Sequence, residues 1–342
     1  MVRKLRDSAV VVTGAASGIG LATSYALANK GTSLVLAGRQ EEALNAVAAE
    51  CRERGVAAVA VPTDVTDEVQ VQALARRAAE SFGRVDVWVN NAAVTAFGAV
   101  GEVPTHIFRR VIETNLYGYL HGIRAALPLM REQGAGIIVN VLSGVVFAPQ
   151  PYTAAYVASK HAIKALTDCL RLELMLAKAG DIHVCNLYPP SVDTPFFQHG
   201  ANYSGRAVKP MPPVHEPEEV AAAVIKAAER PRRAVYIGVP RRTIEIAGML
   251  APDLLDRKLA RRMDRGHFQH RLAAPSEGNL FAPIGAQPEL RGGWGGAPSR
   301  MPGPGALLAA AAVAGGIGFV AWRGWRRALP GAGDRARDAV AP

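Results

Sequence analysis

Ala9-Val-Val-Val-Thr-Gly-Ala-Ala-Ser-Gly-Ile-Gly-Leu-Ala22 decides the fold. The first five residues carry no charge, as a strand buried on both faces requires. Glycines follow at 14, 18 and 20, and residues 19–30 then have helical spacing. Gly14 permits a tight turn, and Gly18 lets the backbone approach a ligand. The helix N-terminus beside them attracts an anion such as a pyrophosphate. The spacing is G-x-x-x-G-x-G, not the commoner G-x-G-x-x-G. A glycine turn can be purely structural, but this strand–turn–helix setting makes Gly14, Ser17, Gly18, Ile19 and Gly20 a candidate dinucleotide cradle.

The same alternation continues outward. Apolar runs at 33–37, 57–62, 85–90, 136–141 and 182–188 predict further strands, with a short one at 235–239. Stretches at 41–54, 67–82, 105–131 and 154–179 have helical spacing. Strand–helix alternation predicts an α/β fold, a doubly wound parallel sheet with helices on both faces. Proline and glycine recur between 194 and 217, which reads as a long loop with room for short helical pieces, and Pro217-Glu-Glu-Val opens a helix. The expected organisation is an α/β unit over 1–240 and a basic amphipathic helical extension over 241–272. A Gly/Pro-rich linker over 273–305, an apolar helix over 306–327 and a disordered tail over 328–342 complete it.

Charge separates these regions. The chain has 342 residues and a net charge of +10. Residues 1–229 hold 21 basic and 21 acidic side chains, and residues 230–342 hold 18 and 8, so the whole excess is C-terminal. A basic tail suits an anionic surface or is simply a solvated tail. Residues 306–322 carry no charge and are followed by Arg323, Arg326 and Arg327. That run is at the lower length limit for crossing a bilayer, and Arg on its far side favours an interfacial anchor. Three cysteines without a CxxC pair indicate neither a disulfide framework nor a metal site. The N-terminus has no apolar signal segment. The expected location is cytoplasmic, with contact to the cytoplasmic face of a membrane through the C-terminal segment. No recognition motif for nucleic acid is present.

The second strand ends in Gly38-Arg39, without the acid that a free ribose 2′-hydroxyl usually meets. Arg39 offers a fork for a 2′-phosphate, so NADP(H) is favoured over NAD(H), unless Arg39 is a solvated loop residue. Asp64, with Val65 beside it, either accepts from an adenine amino group or caps the next helix. Asn91, in Asn90-Asn-Ala-Ala93, falls where the backbone passes the cofactor ribose. Tyr156 and Lys160 are four residues apart in Tyr-Val-Ala-Ser-Lys, and so share a helix face. An ammonium there favours the phenolate and predicts a lowered Tyr156 pKa, as a general acid and base needs.

These motifs, with Ser143 thirteen residues before Tyr156 and Asn115 on the central helix, resemble the short-chain dehydrogenase/reductase family over roughly residues 5–240. The resemblance implies a catalytic domain that binds a nicotinamide cofactor, NADP by the Arg39 reading, and interconverts alcohols and carbonyls. Ser143 would hold the substrate oxygen, and Tyr156 would exchange its proton. Lys160 would tune Tyr156 and bond the cofactor ribose, and Asn115 would hold a water linking Lys160 to solvent. Pro189-Pro190 departs from the family's Pro-Gly. This bears on nicotinamide contacts at Val192 and Thr194, of which Thr194 is the better candidate. The family also implies a homodimer or homotetramer, paired through 105–131 and 154–179. Phe147, Tyr152, Phe196, Phe197 and Tyr203 are candidate pocket walls, and they favour a lipophilic substrate: acyl-chain, steroid-like or retinoid-like. The alternatives are a soluble 3-oxoacyl thioester reductase and a non-catalytic dinucleotide sensor or scaffold.

Overall fold

Seven strands form one parallel sheet: β1 (Ala9–Thr13), β2 (Ser33–Gly38), β3 (Ala58–Pro62), β4 (Val87–Asn90), β5 (Gly136–Val141), β6 (Ile182–Tyr188) and β7 (Ala234–Tyr236). The computed structural model describes residues 4–238 and 241–295. The strand order is β7-β6-β5-β4-β1-β2-β3, so the winding reverses between β1 and β4. That reversal opens a crevice at the carboxyl ends of these two strands, where doubly wound sheets hold their ligands.

The helices are α1 (Gly18–Ala28), α2 (Glu41–Glu53), α3 (Glu68–Phe82), α4 (Thr105–Ile112), α5 (Gly118–Glu132), α6 (Ala154–Leu176), α7 (Pro217–Glu229), α8 (Arg241–Leu250) and α9 (Pro252–Gly266). Alternate strand residues feed two cores. Val10, Val12, Leu34 and Leu36 pack with α1, α2 and α7. Val11, Val35 and Ala37 pack with α3, α5 and α6 on the other face. Each fully buried Val or Leu contributes about 1.5–3 kcal/mol, which is why uninterrupted apolar runs become central strands.

A polar row crosses this sheet. Asn90, Asn140 and Asn186 are register partners on β4, β5 and β6. Asn90 Nδ2 donates to Asn140 Oδ1 at 2.9 Å, and Asn140 Nδ2 donates to Asn186 Oδ1 at 3.2 Å. Trp88 Nε1 donates to Asn90 Oδ1 at 2.9 Å, and Asn186 Nδ2 donates to Thr167 Oγ1 at 2.8 Å, so both ends are closed. Gly122 of α5 gives this row room, since a Cβ there would stand 2.6 Å from Trp88 Nε1.

Four regions differ at least in part from the expected pattern. The helix predicted over 105–131 is divided by a π-helical turn, Glu113–Tyr117. The loop over 194–217 contains the short helical piece allowed for there (Phe196–His199) and also two short strands that were not expected, Ala201–Asn202 and Arg206–Val208. The extension holds the expected helices α8 and α9, but its end turns into the strand Phe268–Leu272, antiparallel to Arg206–Val208. A strand whose partner lies some sixty residues earlier leaves no helical signature to read. Where a linker is expected, residues 273–295 lie against the α/β unit. The apolar run at 306–322 and the tail at 328–342 fall outside the described residues. Among the described residues, no helix is long and apolar enough to cross a membrane.

Candidate active site

The glycine turn is closed by contacts that only glycine tolerates. Gly14 and Gly18 have φ of +66° and +48°, a region that disfavours side chains. A Cβ at Gly20 would overlap the Gly14 carbonyl and lie 2.6 Å from Asn91 Nδ2. Asn91 Nδ2 donates to the Thr13 carbonyl at 2.9 Å, and Asn91 N–H donates to Thr13 Oγ1 at 3.0 Å. The Asn91 side chain therefore ties the end of β4 to the end of β1. Thr194 covers Gly18, whose added Cβ would meet Thr194 Cγ2 at 2.8 Å. The Gly18 region, Asn91 and Thr194 thus converge on the crevice. Ser17 is the residue before α1, and Ile19 lies in its first turn.

Ser143, Tyr156 and Lys160 also converge. Ser143 follows β5, and its Oγ accepts from Val145 N–H at 3.3 Å. α6 begins at Ala154, which puts Tyr156 in its first turn and Lys160 one turn further, fully buried. Ser143 lies near enough to Tyr156 to favour its phenolate. Lys160 Nζ donates to the Val141 carbonyl at 2.8 Å and to Tyr119 Oη at 3.2 Å, and lies 5.5 Å from the Tyr156 ring centre. Burial pushes the Lys160 amine down to about 7. Burial also pushes the Tyr156 phenol up to about 12, against the opposing influence of Ser143. The phenol thus shifts opposite to the direction expected from sequence. Spacing places the ammonium on the right face, but desolvation dominates and Nζ bonds to Tyr119 and Val141.

Asn115 lies in the π turn and is fully buried. Its Oδ1 accepts from Val94 N–H at 2.9 Å, and its Nδ2 donates to the Val94 carbonyl at 2.9 Å and Ser159 Oγ at 3.0 Å. Ser159 Oγ in turn donates to the Tyr156 carbonyl at 2.7 Å, so Asn115 braces the turn of α6 that carries the phenol. A π turn offsets side chains from the α-helical pattern and is often found at functional sites.

Arg39 has a neighbour that the motif reading leaves out. Arg110 of α4 donates to Asp64 Oδ2 at 2.8 Å and to Thr66 Oγ1 at 2.8 Å. Asp64 also accepts from Thr66 N–H at 3.0 Å, and these bonds hold its carboxyl below the usual range against an opposing burial effect. Burial lowers the Arg39 pKa, Asp64 opposes that, and Arg110 adds to it. Val65 is buried against α5, 2.7 Å from where a Cβ on Gly118 would stand. Arg110 reads from sequence as one more solvated charge on an amphipathic helix.

The crevice is crossed by a strap of the chain's own C-terminal region, residues 276–295. Arg39 donates to the Asn279 carbonyl and, at 3.0 Å, to the Leu280 carbonyl, which Arg110 Nε also reaches at 3.0 Å. Gly18 N–H donates to the Glu289 carbonyl at 2.8 Å. Further along, Gly292, Trp294 and Gly295 N–H groups donate to the Asp193 carboxylate at 2.9–3.0 Å. Arg291 bonds to Glu216 at 3.0 Å and Glu218 at 2.7 Å.

On the other side of Tyr156 the wall is aromatic. The Phe196 ring lies 5.5 Å from Tyr156 at 62°, and Phe197 lies 5.6 Å from Phe196. Phe97 and His267 continue the row, 6.4 Å from Phe197. Tyr152 lies edge-on to Phe268 at 5.2 Å. Phe147 does not join this wall. It packs 4.9 Å from Tyr188 and 5.6 Å from Tyr236, because the turn after Ser143 directs it toward β6 and β7. Tyr203 packs over Gly98 and the Val94–Ile107 cluster.

A family model described as short chain dehydrogenase matches residues 8–202, which contain the glycine turn and the Ser143, Tyr156 and Lys160 cluster. The chain belongs to the short-chain dehydrogenase family. The chain is 35% identical over 302 residues to the uncharacterized oxidoreductase YxnA of Bacillus subtilis, covering 86% of this chain and 83% of the relative. It is 35% identical over 228 residues to an uncharacterized oxidoreductase of Staphylococcus haemolyticus, covering 67% of this chain and 94% of that one. Among solved structures, an alcohol dehydrogenase from Thermococcus sibiricus complexed with 5-hydroxy-NADP superposes with a TM-score of 0.59 and 30% identity, covering 68% of this chain and 97% of its own. The short-chain dehydrogenase core thus spans nearly all of two of these proteins. The longer alignment with YxnA necessarily runs into the extension.

Proposed function

We propose that this short-chain dehydrogenase interconverts an alcohol and a carbonyl with NADP(H), in preference to NAD(H), using Tyr156 as the general acid and base. The observation that carries this reading is the convergence of Ser143, Tyr156 and buried Lys160 beside the glycine turn. A bound nicotinamide dinucleotide would supply or accept the hydride. Gly14, Gly18 and Gly20 fit its pyrophosphate, Thr194 borders the nicotinamide end, and Arg39 with Arg110 fits a 2′-phosphate. The alcohol dehydrogenase neighbour, itself in complex with an NADP analogue, supports the same choice.

In the reducing direction, Ser143 Oγ–H and Tyr156 Oη–H donate to the substrate carbonyl oxygen. With hydride supplied to the carbon by a bound nicotinamide, Tyr156 would give its proton to that oxygen and the product alcohol would leave. Donors already placed where the charge develops lower the barrier. A phenol held at about 12 is protonated near neutral pH and is ready for this step. Oxidation needs the phenolate, so it calls for added positive charge nearby or alkaline pH. Lys160 anchors this corner through Tyr119 and Val141. Phe196, Phe197, Phe97 and Tyr152 favour a lipophilic ketone, aldehyde or alcohol. Exposed Leu172, Met175 and Leu176 on α6 support a self-pairing face.

Turnover with NADPH and NADH against carbonyls of graded lipophilicity, including 3-oxoacyl thioesters, tests the reading. Single-turnover hydride transfer should vanish in Tyr156→Phe while NADPH binding persists. Transfer that survives in that variant would remove the proposed chemistry.

A further inference from the structure

The strap follows the path assigned to the dinucleotide, in the same order. Carbonyls of Asn279 and Leu280 meet Arg39 and Arg110, the candidate 2′-phosphate fork. Glu289 meets Gly18 N–H, the candidate pyrophosphate donor. Gly292 then lies against Thr194, at the candidate nicotinamide end, where an added Cβ would overlap the Thr194 carbonyl. Two guanidinium groups share one neutral carbonyl oxygen, Leu280 O; Arg110 also holds the Asp64 carboxylate, whereas Arg39 donates to two strap carbonyls that an anion would outbid. The strap is also well anchored. Leu280 is fully buried among Val94, Ile107, Val111, Ala155 and Ala201, and Arg291 is paired with two glutamates.

We infer that residues 278–292 act as an internal rival of the cofactor, with the Asn279, Leu280 and Glu289 carbonyls standing where phosphate oxygens bind. The inference rests on the proposed dinucleotide reading. Binding of NADP(H) must then release the strap from Arg39, Arg110 and Gly18, and a docked strap weakens apparent affinity by the fraction of time the groove is free. A strap docked nine-tenths of the time raises the apparent Kd about tenfold. The fork contacts make the competition strongest at the 2′-phosphate, so Arg110 joins Arg39 in setting cofactor choice.

The test uses the full chain. Gly278 has φ of +54°, and a Cβ there would overlap the His199 carbonyl, so Gly278→Val undocks the strap. Arg291→Glu breaks the two ion pairs at the other end without touching the groove. Titration with NADPH and with NADH should give at least tenfold tighter NADPH binding in Gly278→Val and a smaller gain in Arg291→Glu. Hydrogen exchange on the wild-type chain should show NADPH increasing uptake over 278–292. Unchanged NADPH affinity in both variants, or a strap that becomes more protected with NADPH, overturns the rivalry while leaving the cofactor reading in place. Absence of dinucleotide binding to the wild type and both variants overturns the cofactor reading and the rivalry together.

Discussion

Replacing Lys160 with Met should make the protein more stable and inactive at once. Lys160 is 1% exposed, and its amine sits at about 7 against an ordinary 10.5. Below pH 7 both folded and unfolded chains carry the proton, and the folded state bears the full cost of burying it. One pKa unit corresponds to about 1.4 kcal/mol, so the cost is about 5 kcal/mol. Lys160→Met removes that cost and forfeits two hydrogen bonds, but neither partner is orphaned, because Tyr119 Oη still donates to the Val141 carbonyl at 2.7 Å. That forfeit is about 1–2 kcal/mol, leaving a net gain of about 3 kcal/mol near pH 6.5. Between pH 7 and 10.5 the unfolded chain holds a proton at Lys160 that the folded chain has released. Wild-type stability from this group therefore rises with pH, and the variant's advantage shrinks by about 1.4 kcal/mol per unit. By pH 10 the advantage should be gone or reversed. Urea unfolding of both proteins from pH 6 to 10, followed by circular dichroism, measures the difference directly and cancels other titrating groups. A difference that stays constant with pH would refute the reasoning, since Lys160 would then keep an ordinary pKa in the folded state.

Other outcomes follow from the same geometry. With Tyr156 held at about 12, oxidation should rise about tenfold per pH unit from 7 to 10 while reduction stays flat, checked by steady-state profiles in both directions. Arg110→Ala should raise the NADPH Kd about 10–100-fold and leave NADH within about threefold, because it removes charge-assisted bonds of about 1.5–3 kcal/mol; fluorescence titration decides. Asn140→Ala leaves the Asn90 donor and the Asn186 acceptor without their partners in the buried row, about 1–3 kcal/mol each, and calorimetry should show a Tm lower by several degrees. Deleting residues 300–342 should move the protein from membrane to supernatant on fractionation if the apolar run at 306–322 is an anchor.

The α/β architecture was legible because its determinants are local. Each central strand is an apolar run, the turn at 14–20 needs glycine, and four-residue spacing puts Tyr156 and Lys160 on one helix face. The direction of the Tyr156 shift was not legible, because sequence spacing names a charged neighbour but says nothing of desolvation or of where Nζ bonds. Nor was the strap. Its contacts to Arg39 and Gly18 come from backbone carbonyls, which every residue has, and a Gly/Pro-rich composition reads equally as a linker. Arg110 belonged to an amphipathic pattern that hides its convergence with Arg39. The asparagine row did leave a trace: Asn90, Asn140 and Asn186 are polar residues within or at the end of mainly apolar strands.

That row has a consequence for how the molecule tolerates change. Side chains alternate along a strand, so sliding β5 by two residues would keep every apolar group on its own face and carry little hydrophobic penalty. Such a slide would strand three amides in a dry interior. The row thus pins the central strands longitudinally, and with them the height at which Asn91, Ser143 and the loop after Tyr188 emerge. The connecting segments at the opposite end of the sheet are thereby relieved of setting alignment, and insertions there should leave the reactive end undisturbed.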